Sequence, residues 1–234
     1  MSATVPVHVV DMQRAPFLCD EFLPLLSDDE RRRAERLRLA DKRAESICAR
    51  GCLRQLLGRH LDRGADQLRF AYGPRGKPHL TDDTAGWSFN ISHSQHRLVV
   101  ACSPDLQLGV DVEYRAPDCA YQDLARRFFA ADEFRAIMLH RPEQQALAFY
   151  TCWTAKEAYL KCTGTGIDRP LASFVIGKLE ELDCPCRIVH GPDGPLPECI
   201  HPIDAGRGYT AHLACAASAP LLARRDHTLA RLAP

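Results

Sequence analysis

The sequence predicts an α+β fold, because stretches with helical spacing of apolar residues are followed by short strand-like stretches, and this order occurs twice. A chain of 234 residues can form one large domain or two lobes of roughly 100 residues each. The 30 basic residues balance the 30 acidic ones, which argues against nucleic-acid binding by the whole chain. Positive charge is concentrated instead in the arginine-rich stretch 30–60.

The first half of the chain contains two predicted helices and four predicted strands. Ser27 and Glu30 have the spacing of a capping box, which predicts the start of a helix. The helices are predicted over 27–40 and about 42–60. The strand-like segments are 5–12, 87–91, 97–102 and 108–113. Gly and Pro predict a loop at 71–80, and polar residues predict a turn at 92–96.

The second half repeats the order of helices followed by strands. Helices are predicted over 122–140 and 143–162, with Pro142 between them because proline interrupts a helix. The strand-like segments that follow are 173–179, 186–190 and 209–217.

Composition and cysteine usage indicate the compartment. No apolar run is long enough to cross a bilayer, and residues 1–16 lack the pattern of a secretion signal, so we expect a cytoplasmic protein. The 11 cysteines form no CxxC pair and are predicted to be reduced thiols. A zinc site built from Cys184, Cys186 and either His190 or His201 is conceivable, but this spacing is not that of a structural zinc site.

The segment "GVDVE" places two carboxylates on one face of a predicted strand. Asp111 and Glu113 project together, whereas Val110 and Val112 project to the other side. Two anions held this close either raise one pKa or share a cation, and Mg²⁺ is a common partner of such carboxylates. The alternative is an acidic outer face of a half-exposed strand, and these five residues alone favour that alternative.

A second pattern lies on the helix that ends near residue 162. Glu157 and Lys161 are four residues apart and share a face with Trp153. Taken alone, they would be a stabilising surface pair. A third carboxylate beside a lysine is nevertheless what a metal bound to a polyphosphate requires, because the lysine can neutralise a leaving phosphate.

Two further stretches carry weaker signals for anion binding. Ser92 and His93 stand where a strand is predicted to reach a turn, at the end of the same meander as the paired carboxylates. A lone histidine is more often structural than functional. Lys77 lies in "GPRGKP", where glycines let backbone amides approach an anion.

Three motifs in this order, "RGKP…FNISHS", "GVDVE" and "WTAKEAYLK", resemble the 4′-phosphopantetheinyl transferases of the two-lobed, single-chain kind that activates peptide and polyketide synthases. The stretches "RRFFAADEF" and "GTGIDRPLASFVI" are also similar to that family, so the resemblance extends from about residue 30 to 178. It implies Mg²⁺-dependent transfer of the phosphopantetheine arm from coenzyme A to a serine of an apo carrier protein, with release of 3′,5′-ADP.

The resemblance also implies roles for individual residues. Asp111, Glu113 and Glu157 match the metal carboxylates, and Lys161 matches the lysine at the leaving phosphate. The residues expected to bind coenzyme A or to orient the site are Arg36, Arg43, Lys77, Ser92, His93, Lys156 and Lys161. Glu157, acting through a metal-bound water, is the first candidate for the base that deprotonates the serine, and Glu133 is the second.

By the same resemblance, the fold is a pseudo-twofold pair of α+β lobes, 1–107 and 108–234, with coenzyme A bound in the cleft between them. We expect a monomer that acts on carrier proteins and binds neither nucleic acid nor membrane. Some of the surplus arginines are expected to steer an acidic carrier, either members of the set Arg31, Arg32, Arg33, Arg50, Arg54 and Arg59 or the pair Arg126 and Arg127. For any single arginine, solvation of a helix face is the simpler explanation.

Two other functions remain open from the sequence. An Mg²⁺-dependent phosphohydrolase could use the same three carboxylates to activate water. A non-enzymatic module could bind carrier proteins or nucleotides, although such a module would not need a complete set of carboxylates and lysine.

Overall fold

The computed structural model of the protein describes residues 4–81, 86–166, 169–216 and 220–234. The main elements up to residue 107 are β1 (Thr4–Asp11), α1 (Ala15–Phe22), α2 (Asp28–Glu35), α3 (Ala40–Leu61), β2 (Phe70–Tyr72), β3 (Pro78–Leu80), β4 (Ser88–Ser94) and β5 (Arg97–Ser103). The main elements after residue 107 are β6 (Leu108–Tyr114), α4 (Tyr121–Phe128), α5 (Ala131–Leu139), α6 (Pro142–Thr163), β7 (Val175–Ile176), β8 (Arg187–Gly191), β9 (Gly194–Ile203), β10 (Tyr209–Cys215), β11 (Leu221–Thr228) and α7 (Leu229–Leu232). The predicted α+β class is confirmed.

Two larger sheets organise the described residues. The first has the strand order β11-β1-β5-β4, in which β1 pairs antiparallel with β5 and parallel with β11. The second has the order β6-β10-β9-β8-β7 and is antiparallel throughout. A small pair, β2 and β3, stands apart from both. The last strand of the chain therefore lies in the same sheet as the first.

The apolar core has three parts, which follow from the two-residue alternation of the strands. One part lies between the first sheet and helices α1 and α3, and a second lies between the second sheet and α6. The third part joins the two sheets: Val7 and Val9 of β1 lie in it together with Val110 and Val112 of β6. The valines of "GVDVE" are thus buried between the sheets, as their alternation with the carboxylates predicts.

Strands β4 and β6 meet side by side at the junction of the two sheets and are joined through side chains. Three alternate residues of β4 accept backbone N–H groups of β6. Asn90 Oδ1 accepts from Val110 at 2.8 Å, Ser92 Oγ from Val112 at 3.3 Å, and Ser94 Oγ from Tyr114 at 3.0 Å. We call this row of contacts the seam. It satisfies the N–H groups along one edge of β6, which would otherwise be costly to bury.

Several predicted elements differ from the structure in their extent. The predicted helix 27–40 ends at Glu35, because Leu37 and Leu39 face solvent and no apolar face continues. The predicted helix 122–140 is two helices, α4 and α5. The interruption falls at Phe129, whose backbone is extended and whose buried ring stacks on Phe149. The predicted loop 71–80 contains β2 and β3. Helices α1 and α7 and strands β9 and β11 were not predicted.

One difference bears directly on the site. Ser92 and His93 were predicted at a turn, but both lie within β4, and the turn falls at Gln95 and His96 instead. Gln95 takes the left-handed conformation, with φ of 49°, which lets the chain reverse there.

Three residues of the sequence-based predictions lie outside the described residues: Ile167, Asp168 and Ala217. No helix in the described ranges combines the length and apolarity that a membrane-spanning helix needs.

Candidate active site

Asp111 lies at the centre of a polar cluster where the seam meets α6. Its side chain is buried, with 3% of the residue surface exposed. Asp111 Oδ1 accepts hydrogen bonds from Ser92 Oγ at 2.9 Å and from Lys161 Nζ at 2.6 Å. The second oxygen, Oδ2, is also buried, and no described residue donates a hydrogen bond to it. Asp111 therefore presents an acceptor that the described residues leave unused.

Two more carboxylates complete the negative charge of the cluster. Glu113 is half-buried on β6 and accepts a hydrogen bond from Ser94 Oγ at 2.7 Å. Glu157 is half-buried on α6, one helical turn before Lys161. The predicted pairing of Asp111 and Glu113 on one face of β6 is therefore realised, and the helix brings the third carboxylate towards them.

The carboxylates hinder one another's ionisation. Burial raises the pKa of Asp111, against the attraction of Lys161 and the hydrogen bond from Ser92. Burial and then the charge of Asp111 raise the pKa of Glu157. Burial raises the pKa of Glu113, the hydrogen bond from Ser94 opposes it, and the Asp111 charge raises it further. Three carboxyl groups thus face one ammonium group, an arrangement that a divalent cation would balance.

Glycine at position 109 allows α6 to lie close against β6. A β-carbon there would collide with the backbone of Ala158 and Cys162. Lys77 strengthens the same contact, because its Nζ donates to the carbonyls of Leu108 at 3.1 Å and Cys162 at 3.2 Å. The register of α6 over β6, and with it the distance between the two groups of carboxylates, depends on this close approach.

Two cavities flank Glu157. The first, of about 320 Å³, has basic residues around its walls, including Arg75, Lys77 and Lys161, together with the turn at Gly76. The second, of about 460 Å³, is more apolar and is lined by residues of α4, α6 and the loop after it: Arg127, Phe128, Trp153, Glu157, Leu160, Arg169, Pro170, Leu171 and Ala172. Glu157 borders both cavities, so a group bound in either one can approach it.

The structure separates Ser92 from His93, although they are adjacent in sequence. Because they alternate along β4, Ser92 is buried against Asp111, whereas His93 is exposed. Partial enclosure lowers the pKa of His93, and charges of Glu45 and Lys42 at the start of α3 act on it with opposite signs. His93 therefore lies near the first turns of the arginine-rich helix.

The predicted arginines lie at the surface of that region. Arg43, in the first turn of α3, donates to the carbonyl of Leu37 at 3.0 Å. Arg36 is exposed at the end of α2. Neither the hydrogen bond of Arg43 nor the exposure of Arg36 shows a binding role, so their contact with coenzyme A stays a prediction.

Lys156 and Glu133 form an ion pair in the interior. Lys156 is 0% exposed and Glu133 is 1% exposed, and the ammonium lies 2.8 Å from the carboxylate. Lys156 also donates to the carbonyls of Leu171 and Phe174, while Glu133 accepts from the backbone N–H of Ile176. These contacts fix α5 and the chain after α6 against the middle of α6. They do not support a role for Glu133 as the base or for Lys156 as an orienting group.

Two of the arginines expected to steer a carrier protein are engaged inside the molecule. Arg54 is 1% exposed, and its guanidinium lies 2.8 Å from Glu30. Arg50 lies 3.4 Å from the same carboxylate. Arg54 is thus a core residue of the helical layer, which corrects its inclusion among steering residues. Arg126 and Arg127 of α4 are exposed, and Arg127 borders the second cavity.

Three residues at the site, Asn90, Ser94 and Arg75, are not among those that the sequence predicts. For Asn90 and Ser94, part of the pattern is visible in the sequence. Together with Ser92 they have a two-residue spacing, which matches the alternation of "GVDVE". The sequence could not show that β4 and β6 would lie side by side, and without that neighbourhood the spacing has no meaning.

Comparisons with known proteins identify the family. A family model described as 4′-phosphopantetheinyl transferase superfamily matches residues 107–214, and one described as 4′-phosphopantetheinyl transferase, N-terminal, matches residues 18–105. The chain is 40% identical over 160 residues to the 4′-phosphopantetheinyl transferase HetI of Nostoc sp., covering 68% of this chain and 64% of that relative.

Two other relatives show the same relationship. The chain is 41% identical over 153 residues to slr0495 of Synechocystis sp., covering 64% of this chain and 62% of the relative. It is 29% identical over 197 residues to the 4′-phosphopantetheinyl transferase psf-1 of Bacillus pumilus, covering 84% and 81%. The chain thus spans less than two thirds of the length of the first two relatives. Since the two family models follow one another along most of the sequence, the chain belongs to the 4′-phosphopantetheinyl transferase superfamily.

Proposed function

We propose that the protein transfers the 4′-phosphopantetheine arm of coenzyme A to a serine hydroxyl of an apo acyl or peptidyl carrier protein and releases 3′,5′-ADP. Family membership and the names of HetI and psf-1 support this activity. The observation that carries it is the buried, unused Oδ2 of Asp111, beside Glu113, Glu157 and a cavity with basic walls.

The donor set fits Mg²⁺. Asp111, Glu113 and Glu157 supply oxygen ligands, which this ion prefers. Burial raises the pKa of all three, and the charge of Asp111 raises those of Glu113 and Glu157 further, so a cation among them would favour their ionised forms. Mg²⁺ usually takes few protein carboxylates and completes its coordination with phosphate and water oxygens. When bound with coenzyme A, it would neutralise charge on the pyrophosphate.

The residues of the chain itself have separate tasks in this proposal. Ser92 uses its hydroxyl fully: it donates to Asp111 and accepts from Lys161 and from the backbone of Val112, so it fixes both charged groups. Lys161, anchored in this way, stabilises negative charge on the departing phosphate. Arg75 and Lys77, on the walls of the first cavity, lie where they can hold the phosphates of coenzyme A.

Glu157 is our candidate for the group that accepts the proton of the carrier serine. Burial, and then the charges of Asp111 and Glu113, raise its pKa in the metal-free site, whereas a bound Mg²⁺ would lower it again, so the assignment rests on its position. Because it borders both cavities, coenzyme A in the first cavity and the serine of a carrier entering from the second can meet at it. Arg127 and Arg169 beside the second cavity suit an acidic partner.

We also propose that the two sheets with their helices are the pseudo-twofold lobes that the resemblance implies, with a boundary near residue 107. The position of the site at the seam supports this, because the seam is where the first sheet meets the second. The two family models also adjoin at this point. Strand β11 returns to the first sheet, so the first lobe would include residues 221–228 as well.

The test is transfer to a purified apo carrier protein, with coenzyme A and Mg²⁺, followed by mass spectrometry of the carrier and chromatography of 3′,5′-ADP. We expect both products in equal amounts, dependent on Mg²⁺ and on the carrier. Asp111→Asn should abolish both products. Asp132→Asn is the matched control, since Asp132 is exposed on α5 and should leave the transfer unchanged.

The other two functions give different results in this assay. A phosphohydrolase would consume coenzyme A even when no carrier is present, and it would add no mass to the carrier. A binding module would retain the carrier but form neither product, and either result would overturn the proposal.

A further inference from the structure

Three histidines and a cysteine from four separate elements meet on the helix-facing side of the first sheet. His8 lies on β1, Cys102 on β5, His227 on β11 and His60 in the last turn of α3. This side is opposite to the one that carries Val7 and Val9 towards β6. The cluster is therefore built on the other face of the sheet from the carboxylate site.

The pairing register of the strands explains why these residues meet. His8 pairs with Val100 on one side and with Arg225 on the other. Cys102 and His227 each follow those partners by two residues, so they project from the same face as His8. His60 reaches the same point from the helix that covers this face.

The ligand atoms converge. His8 Nδ1 lies 2.9 Å from His227 Nε2, and His8 Nε2 lies 2.9 Å from His60 Nε2. One ligand atom from each of His8, His60 and Cys102 lies within 4.8 Å of the other two. Two nitrogens bound to one tetrahedral zinc ion at about 2.0–2.1 Å would be roughly 3.3 Å apart. A small rotation of the facing rings would therefore make room for an ion.

We propose that this cluster binds one zinc ion, with His8 Nε2, His60 Nε2 and Cys102 Sγ as ligands and a water in the fourth position. Imidazole and thiolate ligands favour Zn²⁺ over Mg²⁺, so the site is chemically distinct from the carboxylate cluster. Binding converts the Cys102 thiol to a thiolate and releases its proton to solvent. His60 is half-buried, which leaves a route for the ion and the water.

His227 has a different task, as a positioning residue. Its Nε2 shares a hydrogen bond with His8 Nδ1, and such a contact fixes the ring orientation of a metal-binding histidine. It also connects the site to β11. A bound ion would thus tie α3, β1 and β5 directly and β11 through His227, adding to the stability of the first sheet.

The experiment uses the full chain, freed of metal by a chelator and titrated with Co²⁺ or Zn²⁺ in excess Mg²⁺. We expect one equivalent of Co²⁺ to give a thiolate-to-metal charge-transfer band that Zn²⁺ removes, and Zn²⁺ to raise the Tm. Cys102→Ser should lose the band, and His60→Gln should bind Zn²⁺ more than about 100-fold more weakly. His227→Ala should weaken binding by about 10- to 100-fold.

Cys52→Ser is the matched control, because Cys52 is a fully buried cysteine of α3 outside this cluster, and we expect it to bind Zn²⁺ like the wild type. A charge-transfer band that survives both Cys102→Ser and His60→Gln would place the metal on other cysteines and overturn the proposal. So would the lack of stoichiometric binding in the wild type. If Cys102→Ser does not fold, the Zn²⁺ affinity of His60→Gln tests the proposal alone, and an affinity equal to that of the wild type would overturn it. None of these measurements depends on transfer activity.

Discussion

The ammonium group of Lys161 lies 2.6 Å from Oδ1 of Asp111, whereas the buried Oδ2 of the same carboxylate is left unused by the described residues. The ion pair therefore leaves Asp111 able to accept a second cation through Oδ2. The lysine is also held by Ser92, at 3.1 Å. Its position is fixed before any phosphate arrives, which is the condition for efficient stabilisation of developing charge.

Lys161→Ala should lower kcat by about 100- to 1000-fold and change KM for coenzyme A much less. The charge of the lysine acts mainly as the phosphate departs, so its loss is felt in the transition state. His93→Ala should show the opposite division, with a raised KM and a nearly normal kcat. Steady-state kinetics with a saturating carrier protein measures both. A lysine variant with normal turnover and poor affinity would contradict these roles.

The metal-free protein should lose stability as the pH rises above the ordinary pKa values of its acidic cluster, 3.8 for Asp111 and 4.5 for Glu113 and Glu157. Their pKa values are raised in the folded state. Folding therefore gains most when they are protonated, and the gain is lost as the pH rises through the raised values.

Urea denaturation across that pH range, with a chelator present, checks this sign. Asp111→Asn should reduce the fall in the free energy of unfolding, since it removes one carboxyl group and relieves the other two. Asp132→Asn is the control. A variant whose pH profile runs parallel to that of the wild type would show that the cluster does not carry this dependence.

Lys156→Met should destabilise the protein by about 3–5 kcal/mol, because it leaves the carboxylate of Glu133 buried without its cation. Asp132→Asn, which breaks the exposed pair with Arg135 on α5, should cost only about 0–1 kcal/mol. Chemical denaturation gives both values. Turnover of the folded Lys156→Met protein should stay near that of the wild type, and a large loss of kcat at full folding would instead support the expected orienting role of Lys156.

Gly109→Ala should reduce turnover as well as stability, because a methyl group at that position forces α6 away from β6. Glu157 and Lys161 would then move relative to Asp111. Gly51→Ala is a suitable comparison, since its β-carbon would press on Phe22 between α1 and α3 instead. We expect that variant to lose stability while its folded fraction keeps normal kcat. Equal kcat in both variants would show that the approach of α6 is not critical.

Arg127→Glu should slow transfer to an acidic carrier at low salt, without changing the affinity for coenzyme A. The residue is exposed beside the second cavity, and steering by such charges is screened over about 8–10 Å at physiological salt. The difference from the wild type should therefore shrink as salt rises. Arg135→Glu, on the neighbouring α5, is the control. If the rate of transfer by the wild type and by Arg127→Glu did not depend on salt, apolar contacts would guide the carrier instead.

The sequence predicted the parts of the site that depend on local spacing. Asp111 and Glu113 follow from strand alternation, and Glu157 and Lys161 follow from the helical repeat. The role of Lys156 could not be judged in the same way, because its burial depends on α5 and on the chain beyond α6. The strand β11 was missed since its residues are mostly polar, and its conformation is set by pairing with β1.

The histidine and cysteine cluster shows the same limit more sharply. Its members are at positions 8, 60, 102 and 227, and no local spacing relates them. The local candidate, Cys184 with Cys186, is instead held by a hydrogen bond from the Cys184 thiol to the Cys186 carbonyl. Sites assembled by sheet register are visible only once the register is known.

The parallel pairing of β1 with β11 has a consequence for the synthesis of the protein. During translation, β1 emerges from the ribosome long before residues 221–228, so one edge of β1 waits without its partner until nearly the whole described chain has been made. The first sheet can therefore be completed only after β11 has emerged from the ribosome. Until then the nascent chain carries an open strand edge, which favours binding by chaperones at that stage.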